Sequence, residues 1–229
     1  MAFLTSRKSA SDNEMAKDFY FPTSKRALII FTKNPKLGKV KTRLAKTVGD
    51  QNALEIYKLL LQHTMEITKN LKVDKYVFYS KNIHKEDIWN PDIFRKKLQS
   101  GNDLGERMSN AFSEVFSMGY EMAIIIGSDM FDMKTQDLEI AFENLQNNSF
   151  VIGPAVDGGY YLLRMKEPNP NIFRDKKWSS DTVLKETLDD LIQQDYILLK
   201  ERNDIDHYED LKNEAAFQKF IPSHLKNNQ

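Results

Sequence analysis

The densest chemistry in this chain lies in Ala27-Leu-Ile-Ile-Phe-Thr-Lys-Asn-Pro-Lys-Leu-Gly-Lys-Val-Lys-Thr-Arg-Leu44, where a short apolar run opens into a loop bearing Lys33, Lys36, Lys39, Lys41 and Arg43. A buried strand that ends in such a loop and then opens a helix can hold phosphate. The side chains supply positive charge, and the helix N-terminus supplies free N–H groups. Pro35 and Gly38 shape the loop, and Gly38 permits close approach of the backbone to a ligand. The loop is not a Walker A motif, because Val40 precedes Lys41 where that motif has glycine, and it contains no G-x-G-x-x-G. A solvated basic loop accounts for the same letters.

Two further constellations carry carboxylates. Ala123-Ile-Ile-Ile-Gly-Ser-Asp129 places an acid directly after an apolar run, with Asp132 three residues on. Carboxylates at the end of a buried strand suit Mg²⁺ or Mn²⁺, which bridge one or two of them to phosphate oxygens. The competing reading is that Asp129 or Asp132 caps the turn that follows. Asp204 and Asp206 alternate across Ile205. On a strand both would point one way and one could complete a metal site; otherwise Asp206 caps the next helix. In Gly153-Pro-Ala-Val-Asp-Gly-Gly-Tyr-Tyr161, Asp157 precedes Gly158 and Gly159, which can expose backbone N–H groups to a sugar or phosphate, and Tyr160 or Tyr161 can stack on a ring. A plain Asp-Gly-Gly hairpin turn explains the same residues. The histidines, His63, His84, His207 and His224, are scattered through helical or polar segments and none is a catalytic candidate.

The elements that must position these groups follow from hydrophobic periodicity. Strands are expected at Ala27–Thr32, Lys75–Tyr79, Met122–Ile126, Phe150–Pro154, Tyr160–Arg164 and Tyr196–Leu199. Helical spacing appears at Leu54, Tyr57, Leu61 and Met65, and again at Leu104, Met108, Ala111, Phe112, Val115 and Phe116 behind the caps Asn102 and Asp103. Two more helices follow Thr135 and Ser180. Such alternation predicts a mainly parallel sheet covered by helices on both faces, with ligands beyond the carboxyl ends of the strands.

Composition bounds the answer. The 229 residues with 41% hydrophobic content suit one α/β domain, expected over 26–221 between an N-terminal extension (1–25), taken as mobile, and a frayed tail (222–229). Lys plus Arg (33) equals Asp plus Glu (33), so no global basic field drives nucleic-acid binding. Zero cysteines exclude disulfides and thiolate metal sites, which fits a cytoplasmic protein. No apolar window reaches the length of a membrane span. Aromatic sequence at Phe19 to Phe21 offers a contact for a homo-oligomer.

Taken in order, K-N-P-K-L-G-K-V-K-T-R-L, then G-N-D-L-G-E-R-M at Gly101 to Met108, I-I-I-G-S-D at Ile124 to Asp129, G-P-A-V-D-G-G-Y-Y, W-S-S at Trp178 to Ser180 and D-I-D-H-Y-E-D-L at Asp204 to Leu211 resemble the DUF2064 proteins. These are nucleotide-diphospho-sugar transferase-like proteins of the GT-A fold, described as glycosyltransferases and associated with arsenosugar biosynthesis. The resemblance spans Arg26 to Ile221 and implies a GT-A-like α/β three-layer sandwich with a mainly parallel central sheet. It further implies that the loop with Lys33, Pro35, Gly38, Lys41, Thr42 and Arg43 wraps nucleotide phosphates, with Lys41 and Arg43 in direct contact. Asp129 would be the principal metal ligand and Asp206 the second, for Mg²⁺ or Mn²⁺. Asp103, Gly105 and Glu106 would lie near the base or ribose. Asp157, Gly158, Gly159, Tyr160 and Trp178 would lie near the sugar or acceptor, with Asp157 the candidate general base. Phe131, Arg164 and Ser180 stand where relatives carry Pro, Gly and Thr.

The implied activity is metal-dependent transfer of a sugar from a nucleotide sugar to a small-molecule acceptor. Relatives of the same fold include guanylyltransferases of molybdenum-cofactor and coenzyme F420 synthesis. A nucleotidyltransferase that takes a nucleoside triphosphate and releases pyrophosphate is therefore the alternative, followed by a non-catalytic nucleotide-binding module.

Overall fold

Seven strands form one sheet in the order β3-β2-β1-β4-β6-β5-β7, in a computed structural model that describes residues 21–143 and 148–226. They are β1 (Arg26–Thr32), β2 (Asp74–Tyr79), β3 (Phe94–Leu98), β4 (Met122–Ile126), β5 (Phe150–Pro154), β6 (Tyr160–Met165) and β7 (Tyr196–Leu198). All pairings are parallel except those of β6, which runs antiparallel to both β4 and β5. Ile29 of β1 sits opposite Tyr76 of β2 on one side and Ile125 of β4 on the other, so the ends of β1, β2 and β4 share one edge of the sheet.

Strand β1 is apolar on both faces because both faces are covered. Leu28 and Ile30 face a cluster with Tyr57, Leu61, Leu138 and Phe142. Ala27 and Ile29 face another with Phe112, Val115 and Phe173. The first layer comes from helices α2 (Asp50–Thr68) and α4 (Thr135–Glu143), the second from α3 (Leu104–Ser117), with α5 (Val183–Asp190) alongside. Asp103 caps α3, its carboxylate accepting from the Glu106 N–H at 2.8 Å.

Three differences from the sequence reading have physical causes. Strand β3 is absent from the hydrophobic pattern because Phe-Arg-Lys-Lys-Leu buries only Phe94. It is an edge strand, and its lysines answer Asp87 and Glu114 at 2.8 and 3.0 Å, charges that discourage edge pairing with another chain. The helix that follows the basic loop is only α1 (Thr42–Val48), separated from α2 by Gly49 with φ 85. The buried stripe of α2 runs through Ala53, Ile56, Tyr57, Leu60 and Leu61, so Leu54 and Met65 are flankers rather than its centre.

A third cluster joins α1 and α2 to the C-terminal segment: Leu44, Val48, Ile56 and Leu60 pack on Ile205, Leu211, Phe217 and Ile221. It anchors Ile205 and thereby fixes its two aspartate neighbours. Ser223–Lys226 forms one helical turn, α6. Residues 1–20 and 227–229, on which the expected extension and frayed tail mainly rest, lie outside the described residues, as do Phe19 and Tyr20. Within the expected extension, the backbone N–H groups of Thr23 and Ser24 donate to Asp74 at 2.7 and 3.3 Å. Among the described residues no helix is long and apolar enough to cross a membrane.

Candidate functional site

The ends of β1, β4 and β6 open into a cavity of about 640 Å³ whose floor is charged. Lys41 begins α1 with φ 46 and ψ 46, a left-handed backbone that costs an ordinary residue about 1 kcal/mol or more. That conformation turns a nearly buried side chain inward. Its Nζ donates to Asp129 Oδ2 at 3.0 Å and lies 3.8 Å from Asp204 Oδ2 and 3.7 Å from Asp206 Oδ1. Arg43, on the next turn of the chain and largely exposed, donates from Nη1 to Asp206 Oδ2 at 2.9 Å. Asp204 and Asp206 belong to no strand, yet Ile205 between them is buried in the third cluster, so both acids face the cavity. Asp206 is not the cap of the following turn: Asp210 accepts from the Asp206 N–H at 3.0 Å and from the His207 N–H at 2.6 Å.

The charges shift one another. Burial by itself would lower the Lys41 pKa, but the pull of Asp129 and Asp204 outweighs it and the pKa is raised. Asp204 rises to about 6, first through burial and then through the nearby negative charge of Asp129, with Lys41 only partly offsetting both.

Tyr57 holds the two loops that carry these groups. Its hydroxyl accepts from the Lys33 N–H at 2.9 Å and donates to the Lys33 carbonyl at 3.1 Å, while Ser128 Oγ lies 3.4 Å away beside Asp129. Thr32 Oγ1 completes the group at 3.2 Å, and burial pushes the Tyr57 pKa up. The residue was legible only as part of an apolar helical stripe; a hydroxyl within such a stripe was the available signal. In the loop between, Lys39 N–H closes a turn on the Lys36 carbonyl at 3.0 Å, and Gly38 sits at the third position with φ 66, where a side chain would be strained.

The opposite wall is the turn after β5. Asp157 accepts from the Gly159 N–H at 3.0 Å, and Gly158 has φ 86 with its Cα pressed against Asp181, where a Cβ would come within 2.2 Å of a backbone oxygen. Trp178 lies across the start of α3, and a Cβ on Gly105 would enter its indole ring at 2.3 Å. Burial raises the Tyr160 pKa strongly.

Among the residues singled out from sequence, Lys33, Lys41, Thr42, Arg43, Asp129, Asp157, Gly159, Tyr160, Tyr161, Trp178 and Asp206 line this cavity. Pro35, Gly38 and Gly158 shape its loops without lining it. Asp103, Gly105 and Glu106, expected near a base or ribose, are not in the lining either. They build the start of α3, where Glu106 accepts from the Asn102 N–H at 2.8 Å while Asp103 caps the helix, and Gly105 makes room for Trp178. The lining at that end of the cavity includes Ser80, Gln99, Leu104 and Arg107. Asp132 points elsewhere, paired with Arg202 at 2.8 Å. Phe131 packs on His63 and Phe217, and Arg164 is fully buried, donating to the Ala141 and Asn148 carbonyls around the end of α4, so neither departure reaches the cavity.

The sequence model of DUF2064, described as uncharacterized proteins conserved in bacteria, matches residues 63–180. The chain belongs to the DUF2064 family. The matched span contains Asp129, the Asp157 turn and Trp178, while Lys41 and Asp206 lie on either side of it. No curated protein matches the chain. Among solved structures, this DUF2064 chain is similar to a candidate nucleotide-diphospho-sugar transferase from Desulfovibrio desulfuricans G20, at 28% identity over 90% of this chain and 96% of that one, TM-score 0.76. It shares a fold with 4-diphosphocytidyl-2C-methyl-D-erythritol synthase from Anaerococcus prevotii DSM 20548 (12% identity, 85% and 98% covered, TM-score 0.53). A cytidylyltransferase from Leptospira borgpetersenii serovar Hardjo-bovis shares it too (14%, 81% and 83%, TM-score 0.50). The α/β architecture expected from the family resemblance, with a mainly parallel central sheet between helical layers, is the one the chain adopts.

Proposed function

We propose that this protein is a metal-dependent glycosyltransferase that moves a sugar from a nucleotide-diphosphate sugar to a small-molecule acceptor. The observation that carries the reading is the convergence of Lys41, Arg43, Asp129 and Asp206 on one corner of the cavity floor, within reach of the Asp157 turn. Lys41 and Arg43 bind the diphosphate and neutralise charge as it leaves; Lys33 and Thr42 extend the same wall. Tyr160 and Trp178, which line the cavity, contact the ring being transferred, and Asp157, in the same lining, takes the proton of an acceptor hydroxyl.

The donor set fits a hard divalent cation. Asp129 and Asp206 provide oxygen ligands only, and among the described residues no group of three or more His, Cys, Asp or Glu side chains is placed to hold a metal ion by itself. Mg²⁺ and Mn²⁺ in phosphate-transfer sites are held by one or two carboxylates, with substrate oxygens and water filling the remainder. When bound, the cation supplies Lewis-acid stabilisation to phosphate oxygens.

The likeness to the Desulfovibrio desulfuricans G20 protein supports a nucleotide-sugar donor. Melting curves with nucleoside diphosphates and nucleotide sugars, with and without Mn²⁺, should show stabilisation that needs the metal and identify the base, because a ligand bound to the native state alone raises its stability. Turnover should then release nucleoside diphosphate. Pyrophosphate released from a triphosphate would establish the nucleotidyltransferase instead, and binding without turnover a nucleotide-binding module.

A further inference from the structure

Three carboxylates, Asp129, Asp204 and Asp206, gather around one ammonium whose side chain is only 6% exposed. Lys41 therefore already gives Asp129 and Asp206 the positive charge that a divalent cation would bring. Both cannot serve the same oxygens, because like charges about 4 Å apart in a partly buried site repel strongly. We propose that Lys41 is a built-in counter-cation that blocks the Asp129 and Asp206 carboxylates until a diphosphate draws its ammonium away, so that metal and diphosphate load together.

The backbone suits a side chain that swings while its root stays fixed. The left-handed Lys41 residue is held by the hydrogen bond from Ala45 N–H to its carbonyl at 2.8 Å, and Val40 and Leu44 on either side of it are buried. Only the flexible methylene chain is left to move. Arg43 already answers Asp206 from the solvent side, so one of the acids keeps a partner when Lys41 departs. A diphosphate offers several anionic oxygens to an ammonium and has no need to enter the carboxylate cluster. Coupling between the two ligands is then reciprocal: whatever diphosphate does for metal affinity, metal does for diphosphate affinity. A free metal ion is refused, and the metal–diphosphate complex is accepted.

The inference rests on the metal-dependent reading above, and its test is built to fail separately. Mn²⁺ alone, with no nucleotide present, is titrated into the full chain, and free aqueous Mn²⁺ is followed by electron paramagnetic resonance. Wild-type protein should bind Mn²⁺ weakly, and Lys41→Met should bind it at least about tenfold more tightly, because removal of one unit charge at this range is worth that much. The gain should disappear in Lys41→Met/Asp129→Asn. Lys41→Gln, which keeps a polar end, covers the case in which the methionine variant melts early. Equal or weaker Mn²⁺ binding in both Lys41 variants overturns the proposal, as does a gain that survives Asp129→Asn. Failure of the glycosyltransferase reading appears elsewhere, as absent sugar transfer in a product assay with Mn²⁺ and nucleotide sugar.

Discussion

Acidic residues stand among cations at both edges of the sheet, and they do opposite things. At the amino edge, Asp74 is buried and satisfied: the Thr23 and Ser24 N–H groups, the Thr23 hydroxyl and the Tyr120 hydroxyl at 2.7 Å all donate to it, with Arg95 at 3.7 Å. At the carboxyl edge, three carboxylates share a single buried ammonium and one exposed guanidinium beside an open cavity. The first arrangement fastens the segment just before β1 to the sheet. The second is under-neutralised and open, which is what a site for a cation and a diphosphate needs. Acid content alone does not tell the two edges apart; the state of hydrogen bonding does.

That contrast can be broken by exchange of roles. Asp74→Ala should cost about 3–5 kcal/mol of stability, because four donors lose a buried acceptor, while the proposed transferase activity per folded molecule stays unchanged. Equilibrium urea unfolding measures the first and activity of the folded fraction the second; lost activity in fully folded protein would erase the distinction. Asp129→Asn should do the reverse, lowering turnover about a hundredfold, near 3 kcal/mol in the barrier, with little change in melting temperature. Calorimetry with a nucleoside diphosphate and Mn²⁺ checks it, and unchanged affinity would remove Asp129 from the metal role.

Asp204 sharpens the comparison through pH. Its pKa in the folded state, about 6, lies above the usual carboxylate value, so the native state holds that proton more tightly than the unfolded chain. The sign follows: the carboxyl costs nothing below about pH 4, and its penalty grows as pH rises to about 6 and is complete above it. Asp204→Asn should therefore stabilise the protein by on the order of 2 kcal/mol at pH 8 and by little at pH 4, read from melting curves at both pH values. A smaller effect belongs to Tyr57→Phe. It loosens the loops of Lys33 and Ser128 together and should cost about 1 kcal/mol, with a greater loss in kcat than in KM.

Some of the site was readable in one dimension because each piece is local. The basic run after β1 and the aspartate after β4 are strand-then-loop patterns, in which a short continuous apolar run ends abruptly in charge. Asp204 was readable as one of two alternating acids, but Tyr57 was not readable as a site residue. Tyr57 obeys the helical spacing of a core residue, and its role depends on which two loops its hydroxyl meets. Asp103 and Glu106 show the converse: acids that cap the start of a helix and acids that contact a ribose are the same letters, and the structure shows the capping, with Asp103 accepting from the Glu106 N–H and Glu106 from the Asn102 N–H.

What the amino-acid order determined is the alternation of strands and helices, the mainly parallel character of the sheet and the presence of charge at the strand ends, since these follow from periodicity and burial within a few residues. What only the tertiary structure decided is the meeting of Lys41 with Asp129 and Asp206, 88 and 165 residues along the chain from it. Two packing events bring that about. Strand β4 pairs beside β1 in the sheet, and Ile205 anchors in the cluster against α1 and α2. Electrostatics acts over a few ångströms in space, so a cluster assembled from three distant segments exists only once the core has closed.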